Sequence, residues 1–312
     1  MPSPANRLEF AKWLVSDSNP LVGRVTMNRQ WAAFFGKGLV RTTEDFGLQG
    51  ELPSHPELLD WLALEFPRRG WSMKAMHRLI VTSATYRQSA LVTPDKLNRD
   101  PTNRLLARFP RTRVEGELVR DVALKIAGLL SPKLGGPSVF PPQPAGVTSE
   151  GAYGLLNWTV STGEDRYRRG MYTFAKRTAP YAMFGTFDAP SGEACVPRRE
   201  TSNTPLQALT LLNDVVFLEA AQKLGDEFGT MPGSVDDRIT LLFRRVLTRQ
   251  PTAEERVVLK AFLESQLAQL QTGTLKPEPI VSKKEGPQLP ERAAWTLLAR
   301  ALLNLDETIT KE

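Results

Sequence analysis

The chain has 312 residues, 41% hydrophobic and 24% charged, which is ordinary for a folded globular protein and leaves room for one large domain or two of common size. Its net charge of +6 favours anionic partners without naming one. The single cysteine, Cys195, excludes an internal disulfide, a cysteine-cluster metal site and a Cys-x-x-Cys-His haem attachment within these residues.

The opening MPSPANRLEFAKWLVSD lacks the basic start and continuous apolar core of a signal peptide. No stretch approaches the roughly 18 apolar residues that span a bilayer. Taken as written, the chain reads as soluble and unexported. As a piece of a longer precursor it would be exported or periplasmic, with its signal upstream.

In chain order, residues 6–15 fit a short amphipathic helix through Leu8, Phe10, Ala11, Leu14 and Val15. Asn19-Pro20 starts a second helix that runs to Phe35 and ends at Gly36 and Gly38. Arg24, Asn28 and Trp31 share one of its faces; Trp31 is expected in the core, with the polar pair meeting solvent or capping loops. After a loop over 36–54, Ser54 and Glu57 fit a capping box before a helix with Leu58, Leu59, Leu62 and Phe66 at core spacing. Ser72 caps a further helix carrying Met76, Leu79, Ile80 and Val81. The only two histidines, His55 and His77, lie here; no metal site is expected, because metals need three or four convergent ligands.

Residues 94–112 are turn-rich, and a helix over Val114–Leu130 follows. Glu117 and Asp121 are four apart and face the same way on it, which would allow paired-carboxylate chemistry, but Arg120 and Lys125 stand at ion-pair spacing, and an exposed ion-pair face explains the set without catalysis. Proline and glycine make 131–166 irregular. Around 168–176 the chain alternates like a strand, with Tyr172 and Phe174 on one side and Met171 and Thr173 on the other. A charge-dense loop then holds Asp188, Glu193, Arg198, Arg199 and Glu200. It closes on a helix start in which Thr204 caps, Pro205 takes the first position and Gln207 completes a capping box.

One long helix is expected from Pro205 to Leu224, with Leu209, Leu212 and Val216 inward and Asn213 and Asp214 facing either a site or solvent. Helices then follow over Ser234–Leu247, from a Thr252–Glu255 capping box to Leu270, and over Glu291–Leu305, with a flexible connection at 272–290. The fold class is mainly α: a multi-helix globular domain with a small β element near residues 168–176. Its parts are an N-terminal helical portion (1–130), the irregular segment, signature loop and helices (131–271), the connection (272–290) and a docking helix (291–312), together forming one domain.

Several blocks resemble a planctomycete domain of unknown function, of the PSD type: NPLVGRVTMNRQWAAFFGKGLVRTTEDFGLQGELPSHPELLDWLALEF, GWSMKAMHRLIVTSATYRQSA, NRLLARFPRTRVEGELVRD, YRRGMYTFAKRTAPYAMFGTFDAP and RRETSNTPLQALTLLND. The resemblance covers nearly the whole chain, in order. It implies the C-terminal domain of an exported protein that carries a planctomycete cytochrome-c-like domain elsewhere, so that any haem belongs to that domain and none to this chain. It also implies a place in polysaccharide use. Family members often carry two histidines after the tryptophan of the first block; here those positions are Ala32 and Ala33, so no metal or acid/base role is carried over to them.

The loop offers two chemistries. Arg177, Arg198 and Arg199, with Tyr172 and Tyr181 as stacking surfaces, would suit an anionic glycan, since guanidinium forks match carboxylate and sulfate. Asn203, Thr204 and Gln207 would order the loop. Alternatively, Asp188, Glu193 or Glu200 would serve as acid or base in a polysaccharide hydrolase or lyase, or charged pairs would merely pin the loop down. A third reading is a structural module that docks the cytochrome domain through its positive charge. Nucleic acid is a distant choice, because no basic helix interleaved with aromatics is present.

Overall fold

The structure is a computed structural model that describes residues 6–144, 158–177 and 179–311. It is mainly α, with twelve α-helices among the described residues. The chain divides into two compact units, Met1–Thr112 with Lys311–Glu312, and Arg113–Thr310. The helix that follows Arg113 packs into the second unit.

The first unit holds α1 (Arg7–Leu14), α2 (Val22–Phe35), α3 (Pro56–Arg68), α4 (Met73–Val81) and α5 (Pro94–Arg99). Met27, Trp31 and Phe35 of α2 meet Leu59, Leu62 and Phe66 of α3 in its core. The second helix begins two residues later than the Asn19-Pro20 start expected, at Val22 with Leu21 as its N-cap, and Asn19 orders the turn before it, its Oδ1 accepting from the amides of Leu21 and Val22 at 3.0 Å each. Asn28, expected towards solvent or a loop cap, is fully buried. It clasps the backbone of Val40, donating to its carbonyl at 2.9 Å and accepting from its amide at 2.8 Å. The capping box expected at Ser54 and Glu57 does not form. His55 is the N-cap and its side chain makes no capping bond to the helix; the Ser54 hydroxyl pairs with His55 Nδ1 at 3.0 Å instead.

The second unit holds α6 (Gly116–Ile126), α7 (Ala182–Thr186), α8 (Pro205–Asn213), α9 (Val215–Thr230), α10 (Val235–Leu247), α11 (Ala253–Gln271) and α12 (Leu289–Leu303). Its centre is the α9–α12 pair. Gly225 and Gly229, one turn apart on α9, let α12 approach: a Cβ on Gly225 would stand 1.9 Å from Thr296 Oγ, and one on Gly229 2.7 Å from Arg292 Cα. Leu224, Phe228, Trp295 and Leu298 fill the surrounding core, against Leu242 and Phe243 of α10. The capping box at Thr252 and Glu255 forms with both of its bonds.

The single helix expected from Pro205 to Leu224 is two. Asp214 adopts an extended conformation, ends α8 and caps α9 by accepting from the Val216 amide at 2.9 Å, as a short carboxylate at a helix start readily does. The break turns Leu209 outward, 55% exposed, and gives its core place to Leu211. Residues 273–288 are irregular, α12 begins at Leu289 instead of the expected Glu291, and Val281 in this connection is buried in the core.

The β content is small. Two-residue strands β1 (Thr112–Arg113) and β2 (Thr310–Lys311) pair. The alternation near 168–176 yields isolated bridges, Ser131 with Arg168 and Val139 with Thr173, around a 3-10 turn over Gly170–Tyr172.

Candidate functional site

The signature segment is gripped by one face of α6. Residues 166–170 run beside this helix as irregular backbone whose polar groups need partners. Arg120, wholly buried, donates from Nη1 to the Arg168 carbonyl at 2.5 Å and from Nη2 to the Arg166 carbonyl at 2.7 Å. Asp121, one position on, accepts from the Gly170 amide at 2.6 Å and lies 3.6 Å from Arg169 Nε. Gly170 has to be a glycine for steric reasons: a Cβ there would stand 2.7 Å from the Glu117 carbonyl oxygen. The exposed ion-pair face expected on this helix is therefore corrected. Arg120 and Asp121 are buried, and they answer backbone brought from far along the chain.

Burial sets the electrostatics of this grip. It pulls the Arg120 guanidinium down from its ordinary value, an effect opposed by Tyr181 and Asp121 nearby. It pushes the Asp121 carboxyl up against the Gly170 amide and the charges of Arg120 and Arg169. Asp214 is likewise raised by burial, although its bond from the Val216 amide and the charge of Arg120 oppose this. Glu219 closes the other end by pairing with both Nε and Nη2 of Arg166.

The loop that follows is fastened at several points. Asp188, in the left-handed region at φ 59°, accepts from the Ser202 amide at 2.7 Å, the Ser202 hydroxyl at 2.8 Å and Gln207 Nε2 at 3.3 Å. Gln207 is buried; its Nε2 also donates to the Thr186 carbonyl at 3.0 Å, while its Oε1 accepts from Arg113 at 2.5 Å. Thr204 caps α8 by accepting from the Gln207 amide at 3.4 Å. The expected box stays half-made, because the Gln207 side chain turns into the loop instead of back to the helix start. Asn203 and Thr204 are exposed.

Arg199 reaches α6. Its Nη1 and Nη2 donate to Glu117 at 2.7 and 3.1 Å, and Glu115 stands 3.6 Å away. Burial would raise the Glu117 carboxyl, but Arg199 outweighs it and holds the group below its ordinary value. Gly116 packs close beneath, where a Cβ would meet that of Phe187 at 3.0 Å.

The residues proposed from sequence thus separate. Tyr181 is a core residue, 2% exposed, stacked on Trp158 at 5.8 Å and donating to the Pro142 carbonyl at 3.0 Å, which leaves no ring face for a sugar. Tyr172 is half-buried with the Arg168 guanidinium 3.8 Å over its ring, and its hydroxyl accepts from the Gly135 amide at 2.8 Å. Asp188 and Arg199 are engaged internally. Arg177 and Arg198 are exposed, as are Glu193 and Glu200. Arg120, Asp121, Arg168 and Ser202 were not singled out as site residues, although all lie in or beside the signature blocks. The glycines at 116 and 170 were their available signal, marking close backbone approach.

Among the described residues no group of three or more His, Cys, Asp or Glu side chains could hold a metal ion, and no helix is long and apolar enough to cross a membrane. The arrangement is a helical unit whose charged signature is spent mainly on fastening a loop. The family model of PSD1, a protein of unknown function (DUF1553), matches residues 6–263, and the chain belongs to that family. No curated protein and no solved structure matches it.

Proposed function

We propose that the chain is an accessory, non-catalytic domain that binds anionic polysaccharide through Arg177 and Arg198, within an exported protein that also carries a cytochrome-c-like domain. One observation carries the binding reading: these two arginines are exposed at the loop, while Arg199 and Asp188 beside them are engaged by Glu117, Ser202 and Gln207. An arginine fork that is not committed internally suits sulfate or carboxylate. The net charge of +6 supports the same class of ligand. A hydrolase or lyase reading retains Glu193 and Glu200 as exposed carboxylates, and it is less favoured because Asp188 already accepts several hydrogen bonds.

The test is binding of neutral, carboxylated and sulfated polysaccharides across a salt series, for the wild type and an Arg177→Ala/Arg198→Ala variant. Selective binding of one anionic polymer, lost in the variant, is the expected result. Binding to every polyanion that fades uniformly with salt would mark plain charge attraction and defeat the proposal.

A further inference from the structure

We propose that a cleft in the Arg113–Thr310 unit binds a small aliphatic carboxylate, with Arg300 as its anion contact. The cleft, of about 270 Å³, lies where the end of α8 and the start of α9 meet α12 and residues 279–280. Its walls include Leu212, Leu218, Ile280 and Leu297, each half-buried. Ligand pockets generally run from roughly 300 Å³ upward, so this one suits a chain of a few carbons.

Its polar end is built. Arg300 donates from Nε to the Leu212 carbonyl at 2.7 Å and from Nη2 to Asn213 Oδ1 at 3.2 Å. Asn213 is itself set by donating from Nδ2 to the Leu209 carbonyl at 2.8 Å, which fixes its amide with the oxygen towards Arg300. The Leu212 carbonyl takes one N–H and the Asn213 oxygen a second, from a guanidinium that carries five. Among the described residues Nη1 has no hydrogen-bond partner, so the fork is held in place with donors to spare. A bare inorganic anion would meet those donors and leave the leucine walls wet. A neutral alkyl ligand would cover the walls and leave the charge unanswered. An aliphatic carboxylate does both.

The inference is independent of the polysaccharide reading, since it uses neither Arg177 nor Arg198. Hexanoate, hexanol and sulfate are titrated into the full chain by calorimetry, with amide shifts of α8 and α12 followed by NMR. Hexanoate should saturate, with shifts at Asn213 and Leu297; hexanol should bind about tenfold more weakly, and sulfate should leave these shifts unmoved. Arg300→Gln should weaken hexanoate to the level of hexanol without changing hexanol. Leu297→Trp, which fills the cleft and leaves Arg300 in place, should abolish both, and it carries the test if the Arg300 variant fails to fold. Equal affinity for hexanoate and hexanol, unchanged hexanoate binding in Leu297→Trp, or no saturation by about 20 mM would overturn the proposal.

Discussion

Arg199 and Glu117, 82 positions apart in the chain, meet through two hydrogen bonds of 2.7 and 3.1 Å. This pair ties the charged loop to the helix that also holds residues 166–170. Because Glu117 titrates below its ordinary value when folded, its contribution to stability is complete above the unfolded carboxylate range, about 4.3, and is lost as pH falls through the folded value. Glu117→Gln should cost about 1 kcal/mol near neutral pH, the upper end for a partly exposed pair, and almost nothing well below pH 4. Urea unfolding at several pH values checks this; an equal loss at all of them would deny the pair its role.

Arg120 should be far less forgiving. Its removal leaves Asp121 buried beside fewer cations and two backbone carbonyls without their donors. Arg120→Met is expected to destabilise by about 3–5 kcal/mol, since two backbone carbonyls each lose a charge-assisted hydrogen bond worth about 1.5–3 kcal/mol. Arg120→Lys should recover only part of this, since one ammonium does not reproduce the planar fork reaching both carbonyls. The midpoint of thermal unfolding separates the two variants.

Replacing a glycine in a helix interior by alanine ordinarily gains up to about 1 kcal/mol. At Gly225 the sign should reverse, because the new Cβ would fall 1.9 Å from Thr296 Oγ and 2.7 Å from its backbone nitrogen. A loss of about 1–3 kcal/mol is expected as α9 and α12 are forced apart. A stabilised Gly225→Ala protein would show that the helices are not packed this closely.

Asp214 has the opposite pH signature to Glu117. Its folded value is raised, so the native state holds the proton more tightly and stability falls as pH rises from the unfolded value, about 3.9, through the folded one. An asparagine at this position keeps a side-chain oxygen that can accept from the Val216 amide, and it carries no charge to bury. Asp214→Asn should therefore remove that decline and leave the protein at least as stable as wild type at pH 7. Unfolding midpoints at pH 3 and pH 7 test it, and a clear loss at pH 7 would contradict the assignment.

What could be read from sequence was what is decided locally. The Thr252–Glu255 box depends on residues three apart and formed as expected. The leucine and phenylalanine spacing of α3 placed Leu59, Leu62 and Phe66 in the core for the same reason. Gln207 shows the limit. Its spacing from Thr204 gave the cap, but its side chain is claimed by Thr186, Asp188, Ser202 and Arg113, none of them within the helix. Arg120 and Glu117 at helical spacing read as an exposed pair, because nothing local records that residues 166–170 and Arg199 will arrive. Tyr181 carries the same letter whether its ring is buried on Trp158 or open to a ligand.

The most direct test sets Arg198→Ala beside Arg199→Ala and measures affinity for the polysaccharide that the wild type binds. Arg198→Ala should weaken binding about tenfold or more and keep the wild-type unfolding midpoint. Arg199→Ala should lower the midpoint and largely keep the affinity. The reverse result, with affinity resting on Arg199 and untouched by Arg198, would mean that the Glu117 pair opens to serve the ligand and that the division between fastening and binding residues is wrong.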